Sequence, residues 1–374
     1  MKNSSTLYFL FLISFQVAFT VPVKAQLTTI PRGGNKKASV SEQIGITDVI
    51  IHYSRPGVKK RDGHIWGELI PVGYTELGYG TKKAAPWRAG ANENTTIEFT
   101  TDVKIEDHEL AAGRYGFFVA YDPGECTIIF SKNSTSWGNF FYNPEEDALR
   151  VKVKPVKADK GVEWLKYEFA DQTPTSATIQ LQWEKLVIPF RVDVDVVKTQ
   201  IESFRKELRG DRALPGSWQA WNQAAAYCAA NHTNLEEGLL WADSSLSDKF
   251  GGASSFLAWQ TKAAILDSMG RKAEAADAMK KAMPLMDMIQ GYTYGYSLIA
   301  TDRKEAFEIF KMVYEKYPNT LFSNIGMASG YSAFGDYKKA LVFAQKALLQ
   351  AKGGNKTEIE RNIRDLQNGK DMNN

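Results

Sequence analysis

The sequence has 374 residues, enough for two domains of ordinary size. Its 44% hydrophobic and 24% charged content is that of a globular protein and excludes a wholly disordered chain. The 46 basic and 43 acidic residues leave a formal net charge of +3, a near-balance that argues against a dedicated nucleic-acid binder.

Lys2 is followed by an apolar run from Leu7 to Val21, and Val23 and Ala25 stand at the −3 and −1 positions of a cut before Gln26. This is the layout of a secretory signal peptide over residues 1–25, with export to the periplasm or the extracellular space. The run is short for a membrane span; an uncleaved anchor is the alternative. No later segment approaches 18 continuous apolar residues, so no membrane span is expected in the mature chain. The two cysteines, Cys126 and Cys228, cannot build a disulfide framework or a four-thiolate zinc site. Burial as small hydrophobes and a single interdomain disulfide are the two readings open for them.

Residues 26–195 read as an all-β domain, because apolar residues alternate from about 38 onward. Val49, Ile51 and Tyr53 share one phase, as do Tyr115, Phe117, Val119 and Tyr121. So do Ile179, Leu181 and Trp183, and then Ile188, Phe190, Val192 and Val194. Turn signals such as Arg55-Pro56-Gly57 and Asp122-Pro123-Gly124 divide the runs. Eight to ten short strands without intervening helices predict an antiparallel β-sandwich or jelly-roll-like domain.

Residues 196–374 change period. Alanine becomes dense and apolar residues recur at three and four, as on a helix. Small residues repeat at Gly238, Ala275, Ala306 and Ala340, spaced 37, 31 and 34 apart, with Gly270 and Gly335 at turns between paired helices. This pattern resembles the tetratricopeptide repeat over roughly residues 217–351, with an amphipathic segment after Gly353 as a cap. The fold class is thus α+β with two domains, a sandwich followed by an all-α helical-repeat solenoid. A plain helical bundle is the alternative for the second half.

Two polar loop motifs interrupt the β region. One is Tyr53-Ser54-Arg55-Pro56-Gly57-Val58-Lys59-Lys60-Arg61, followed by Ile65-Trp66-Gly67-Glu68; the other is Trp87-Arg88-Ala89-Gly90-Ala91-Asn92-Glu93-Asn94-Thr95. Both strings resemble the hallmarks of the secreted bacterial family catalogued as domain of unknown function 2911, from about Ile44 to Val194, including Trp137-Gly138 and Trp183-Glu184. The resemblance implies an exported, sandwich-like domain and no particular activity.

Bottom-up, the motifs support three readings. Arg55, Arg61 and Arg88 can pair with Glu68 and Glu93 in a buried ionic network that closes one end of the sandwich. Alternatively Tyr53, Arg55, Arg61, Trp66, Trp87, Arg88, Asn92 and Glu93 line a cleft for a small molecule or glycan, with Tyr74 and Tyr79 as further aromatic faces. The third reading is a hydrolase or carbohydrate-active enzyme using Glu93 with Arg88 and Asn92, Glu93 being the candidate general acid or base and Glu68 the candidate second carboxylate. His52 and His64 flank the first motif and would need a third ligand such as Glu93 to hold a metal, so neither metal nor cofactor is implied. In the helical half, the run Gly291–Tyr296 reads as flexible and poorly helical, and Tyr292, Tyr294 and Tyr296 are candidate contacts for a protein or peptide partner. The expectation is an exported binding or scaffolding protein.

Overall fold

The computed structural model describes residues 34–374; segment 1–25, expected to be a signal peptide, lies outside the described residues. The β region runs β1 Lys36–Ile44, β2 Thr47–Arg55, β3 Thr75–Glu76, β4 Ala84–Ala85, β5 Thr95–Phe99 and β6 Val103–Ile105. It continues with β7 His108–Leu110, β8 Gly113–Ala120, β9 Cys126–Ser131, β10 Asp147–Val153, β11 Val156–Thr173 and β12 Ser176–Asp193. Strands β1-β2-β5-β8-β9-β10 form one antiparallel sheet, β11-β12-β6-β7 a second, and β3-β4 a small ribbon. The two larger sheets share one core. Val49, Ile51, Ile97, Phe117, Val119 and Phe130 from the first meet Leu165, Tyr167, Leu181, Trp183 and Phe190 from the second. Phe190 stacks on Phe117 at 5.3 Å between ring centroids, which ties the sheets face to face. The alternating sets of the sequence are therefore the inward faces of a sandwich. Among the described residues there are twelve strands instead of eight to ten, because β3, β4, β6 and β7 have only two or three residues each, too few to show a period.

Ten helices follow: α1 Val196–Glu207, α2 Trp218–Ala230, α3 Leu235–Leu246, α4 Phe256–Ser268 and α5 Lys272–Ala282, then α6 Met288–Leu298, α7 Arg303–Lys316, α8 Leu321–Ala333, α9 Tyr337–Leu348 and α10 Gly354–Gln367. Asp195 caps α1 by accepting from the Lys198 N–H at 2.9 Å. From α2 onward the helices pack in pairs, α2 with α3, α4 with α5, α6 with α7 and α8 with α9. The first members also stack on one another, α2 on α4 and α6 on α8, and α10 covers α9. This is a tetratricopeptide-like arrangement. The repeated small residues explain its spacing: a Cβ on Gly238 would stand 2.7 Å from that of Cys228 across the α2–α3 pair. Ala275, Ala306 and Ala340 are buried at the equivalent contacts. Gly270 and Gly335 adopt left-handed backbone, φ 76° and 77°, at the turns α4–α5 and α8–α9. Among the described residues no helix is long and apolar enough to cross a membrane. Cys126 and Cys228 are both buried and free, and burial pushes the Cys228 thiol up to about 11.

Candidate functional site

The first polar motif leaves β2 and is stitched to the long strand β11. Arg55 Nε donates to the Leu165 carbonyl at 2.8 Å, and the Leu165 N–H donates to the Pro56 carbonyl at 3.0 Å. The Val58 N–H reaches the Glu163 carbonyl at 2.8 Å, and the Lys59 N–H reaches Glu163 Oε1 at 3.0 Å. Arg61 folds back on its own loop, donating to the carbonyls of Gly57 at 2.7 Å and Val58 at 2.9 Å. Gly57 lets the loop approach β11 closely: a Cβ would meet Glu163 Oε1 at 2.9 Å and the Trp164 ring at 3.2 Å.

The second motif docks onto the first. Trp87 pairs with Val119 through two backbone hydrogen bonds, and its indole N–H donates to the Gly90 carbonyl at 3.1 Å. Ala89 takes left-handed backbone, φ 50°, so its carbonyl points inward. It accepts from the Tyr167 hydroxyl at 2.7 Å and the Thr95 hydroxyl at 3.0 Å. Tyr167 in turn donates its N–H to the Tyr53 hydroxyl at 3.3 Å, and burial raises its phenol well above the ordinary value. The Ala91 N–H closes the loop on the Ser54 carbonyl at 3.2 Å. Behind this clasp Trp66 lies edge-on to Trp87 at 5.6 Å and to Trp183 at 6.1 Å, while Trp87 stacks on Trp183 at 6.0 Å.

The charged groups are arranged differently from the expected Arg–carboxylate network. Glu93 pairs with Lys37 at 2.7 Å and accepts from Ser54 at 3.4 Å. The Lys37 ammonium, then its own backbone N–H, hold the Glu93 carboxyl below the usual carboxylate range, so it is ionised near neutrality. Glu68 instead binds His64 on an exposed turn at 3.0 Å. The two candidate carboxylates thus have separate partners, and no contact joins them into an acid–base pair. Asn92, also left-handed at φ 58°, accepts from Asn35 at 3.4 Å. Arg88 is half-buried; its Nε has no hydrogen-bond partner among the described residues, and burial lowers its ordinary value. Among the described residues no three His, Cys, Asp or Glu side chains converge as a metal-binding group. Tyr53, Arg55, Arg61, Trp66 and Trp87 are therefore brought together mainly with backbone carbonyls and each other.

A more exposed aromatic surface adjoins the second motif, where Trp137 is bridged to Glu93 and the Asn94 N–H donates to the Ser136 carbonyl at 3.1 Å. Tyr79, Trp137 and Phe141 are 57%, 56% and 46% exposed. The Trp137 and Phe140 rings are nearly parallel, 3° apart in tilt with centroids at 6.1 Å, and Tyr79 lies 4.8 Å from Phe140. Of these only Tyr79 was singled out as an aromatic face; Phe140 and Phe141 follow one another and break the alternation by which strand residues are recognised.

In the helical half, Gly291–Tyr296 is not a flexible run but the middle of α6, started by a capping box of Asp287 and Gln290. Its glycines serve packing. A Cβ on Gly291 would stand 2.3 Å from Val313 Cγ2 of α7, and one on Gly295 would stand 2.6 Å from the Phe310 ring. Helical spacing splits the three tyrosines. Tyr294 turns toward Phe256 at 5.9 Å, whereas Tyr292 and Tyr296, four apart, share a face 6.0 Å from one another. Tyr292 also meets Phe322 of α8 at 5.4 Å, and burial pushes its phenol up to about 12. These rings wall a cavity of about 280 Å³ between α6, α8 and α10. Ser329 Oγ and Asn362 Oδ1, on residues that are 0% and 6% exposed and line that cavity, have no hydrogen-bond partner among the described residues. A larger cavity of about 450 Å³ lies between the β6–β7 hairpin, the end of β12 and the start of α1, with Asp102, Glu109, Glu202 and Lys198 in its walls.

These features define a β-sandwich joined to a tetratricopeptide-like solenoid. Residues 35–192, which span the sandwich, match the family described as "Protein of unknown function (DUF2911)". No curated protein matches the chain. Among solved structures, the chain is similar to that described as "Crystal structure of YrrB: a TPR protein with an unusual peptide-binding site". The two are 17% identical with a TM-score of 0.28, over 46% of this chain and 89% of that one.

Proposed function

We propose that the protein is an exported binding or scaffolding protein whose helical half holds an extended peptide segment of a partner in the groove between α6, α8 and α10. Export rests on the signal-peptide pattern of residues 1–25. The observation that carries the peptide reading is the pairing of an aromatic wall, Tyr292, Tyr296 and Phe322, with two buried polar atoms that have no partner of their own. Aromatic rings supply contact area at low entropic cost, and unpaired buried polar atoms are satisfied by the amides and carbonyls of an extended chain. Tyr296 is 47% exposed, so its replacement leaves the helix packing intact. Tyr296→Ala is expected to weaken binding to members of a synthetic peptide array by about tenfold, or ~1.4 kcal/mol, with an unchanged melting temperature. Array binding that is indifferent to Tyr296 would reject the groove.

A second reading applies to the sandwich and is favoured by the exposed rings of Tyr79, Trp137 and Phe141. Parallel aromatic faces at a surface suit the apolar face of a sugar ring, which supports a glycan site at this patch, beside Glu93 of the second motif. Trp137→Ala should abolish any signal the protein gives on a glycan array. A positive array unaffected by Trp137→Ala would move the glycan site elsewhere.

A further inference from the structure

We infer that the last residues of the sequence, Asp371–Asn374, act as a built-in strap that walls off one side of the α6–α8–α10 groove, mimicking part of the partner segment that must displace them to use its full width. The inference rests on the peptide-binding reading above and adds to it a ligand chemistry and a means of control. After α10 the chain turns back through Gly369, at φ 71°, with the Lys370 N–H donating to the Asp365 carbonyl at 2.9 Å. The next residues are held by the buried face of α8. The Ser332 hydroxyl donates to Asp371 Oδ1 at 2.7 Å and accepts from the Met372 N–H at 3.0 Å. Asn373 Nδ2 donates to the Ser329 carbonyl at 3.0 Å. Met372 packs on the apolar cluster of Ala328, Ala344 and Leu366, and Met372, Asn373 and Asn374 line the cavity beside Tyr292.

This is how a peptide would be held: a carboxylate and a main-chain amide on one serine, an apolar side chain against helix packing, and a carboxamide on a helix carbonyl. The fit is incomplete. Among the described residues Ser329 Oγ and Asn362 Oδ1 remain without partners, so a segment that paired with them would bind better than the chain's own. The ligand class that follows is an extended segment with an acidic residue, then a long flexible apolar residue, then an amide-bearing one. Because the strap is tethered, its effective concentration is high and it competes at all times. A groove open about a tenth of the time weakens an incoming ligand about tenfold.

The test uses a labelled peptide of residues 368–374 with both ends blocked, titrated by fluorescence anisotropy onto three proteins. These are the full chain, the same chain ending at Gly369, and the full chain carrying Asp371→Ala with Met372→Ala. The shortened chain and the double variant should each bind the peptide at least tenfold more tightly than the full chain. The double variant serves if shortening lowers the melting temperature. Equal affinity for all three, or no binding to a folded shortened chain, overturns the inference. Peptide-array ligands separate this from failure of the groove itself: ligands that bind the full and shortened chains alike leave the groove reading standing while the strap falls. If neither form binds any array peptide, both fall.

Discussion

Trp183→Ala is expected to cost the sandwich about 3–5 kcal/mol, the loss typical of emptying a large aromatic site in a packed core. Trp183 is 1% exposed, and both Trp66 and Trp87 rest on it at about 6 Å. Its removal withdraws the floor from both polar motifs at once, because Trp87 orients the Gly90 carbonyl and pairs with Val119. The Trp183 indole N–H has no partner among the described residues, so the alanine variant forfeits no hydrogen bond to them and the loss is one of packing. Denaturant unfolding followed by far-UV circular dichroism would measure it. A drop below about 1 kcal/mol would mean that the site collapses and the clasp stands without its aromatic floor.

That dependence explains why the motifs are so readable as strings and so hard to read as function. Arginines near carboxylates suggested an ionic network, yet Arg55 and Arg61 spend their donors on the carbonyls of Leu165, Gly57 and Val58. A backbone carbonyl leaves no mark in a sequence, and Tyr167, which locks the second motif by its hydroxyl, shows there only as one more inward residue of an alternating strand. What was legible is what periodicity reports. The inward faces of β2, β8 and β12, and the small residues at Gly238, Ala275, Ala306 and Ala340, stand where period two and the repeat spacing put them. Glycine-rich α6 was misread because propensity is local, whereas the reason for Gly291 and Gly295 lies across the interface in Val313 and Phe310. The strap at Asp371–Asn374 was illegible for a similar reason: its partners, Ser329 and Ser332, are some forty residues upstream.

The same contact geometry gives the second large effect and a way to separate packing from accident. The Phe310 ring is 1% exposed and is held between helices that can approach it only because they present glycines. A Cβ on Gly295 would stand 2.6 Å from the ring and one on Gly326 would stand 2.7 Å from it. Phe310→Ala should therefore lose about 3–5 kcal/mol, since the glycines offer no side chain to fill the space. Gly326→Leu alone forces the ring aside, an overpacking cost of about 1–3 kcal/mol. The roughly 0.8 kcal/mol by which leucine exceeds glycine as a helix former offsets only part of that cost. Together the two changes oppose each other, because leucine from α8 enters the space vacated on α7. The double variant should be more stable than the sum of the single losses by about 1–3 kcal/mol, read as the coupling in a denaturant double-mutant cycle. Strict additivity would show that Phe310 and Gly326 do not share one packing site. A positive coupling would place Tyr292, 6.3 Å from the same ring, on a floor set by glycine approach, so the groove's aromatic wall depends on helix spacing as much as on the tyrosines themselves.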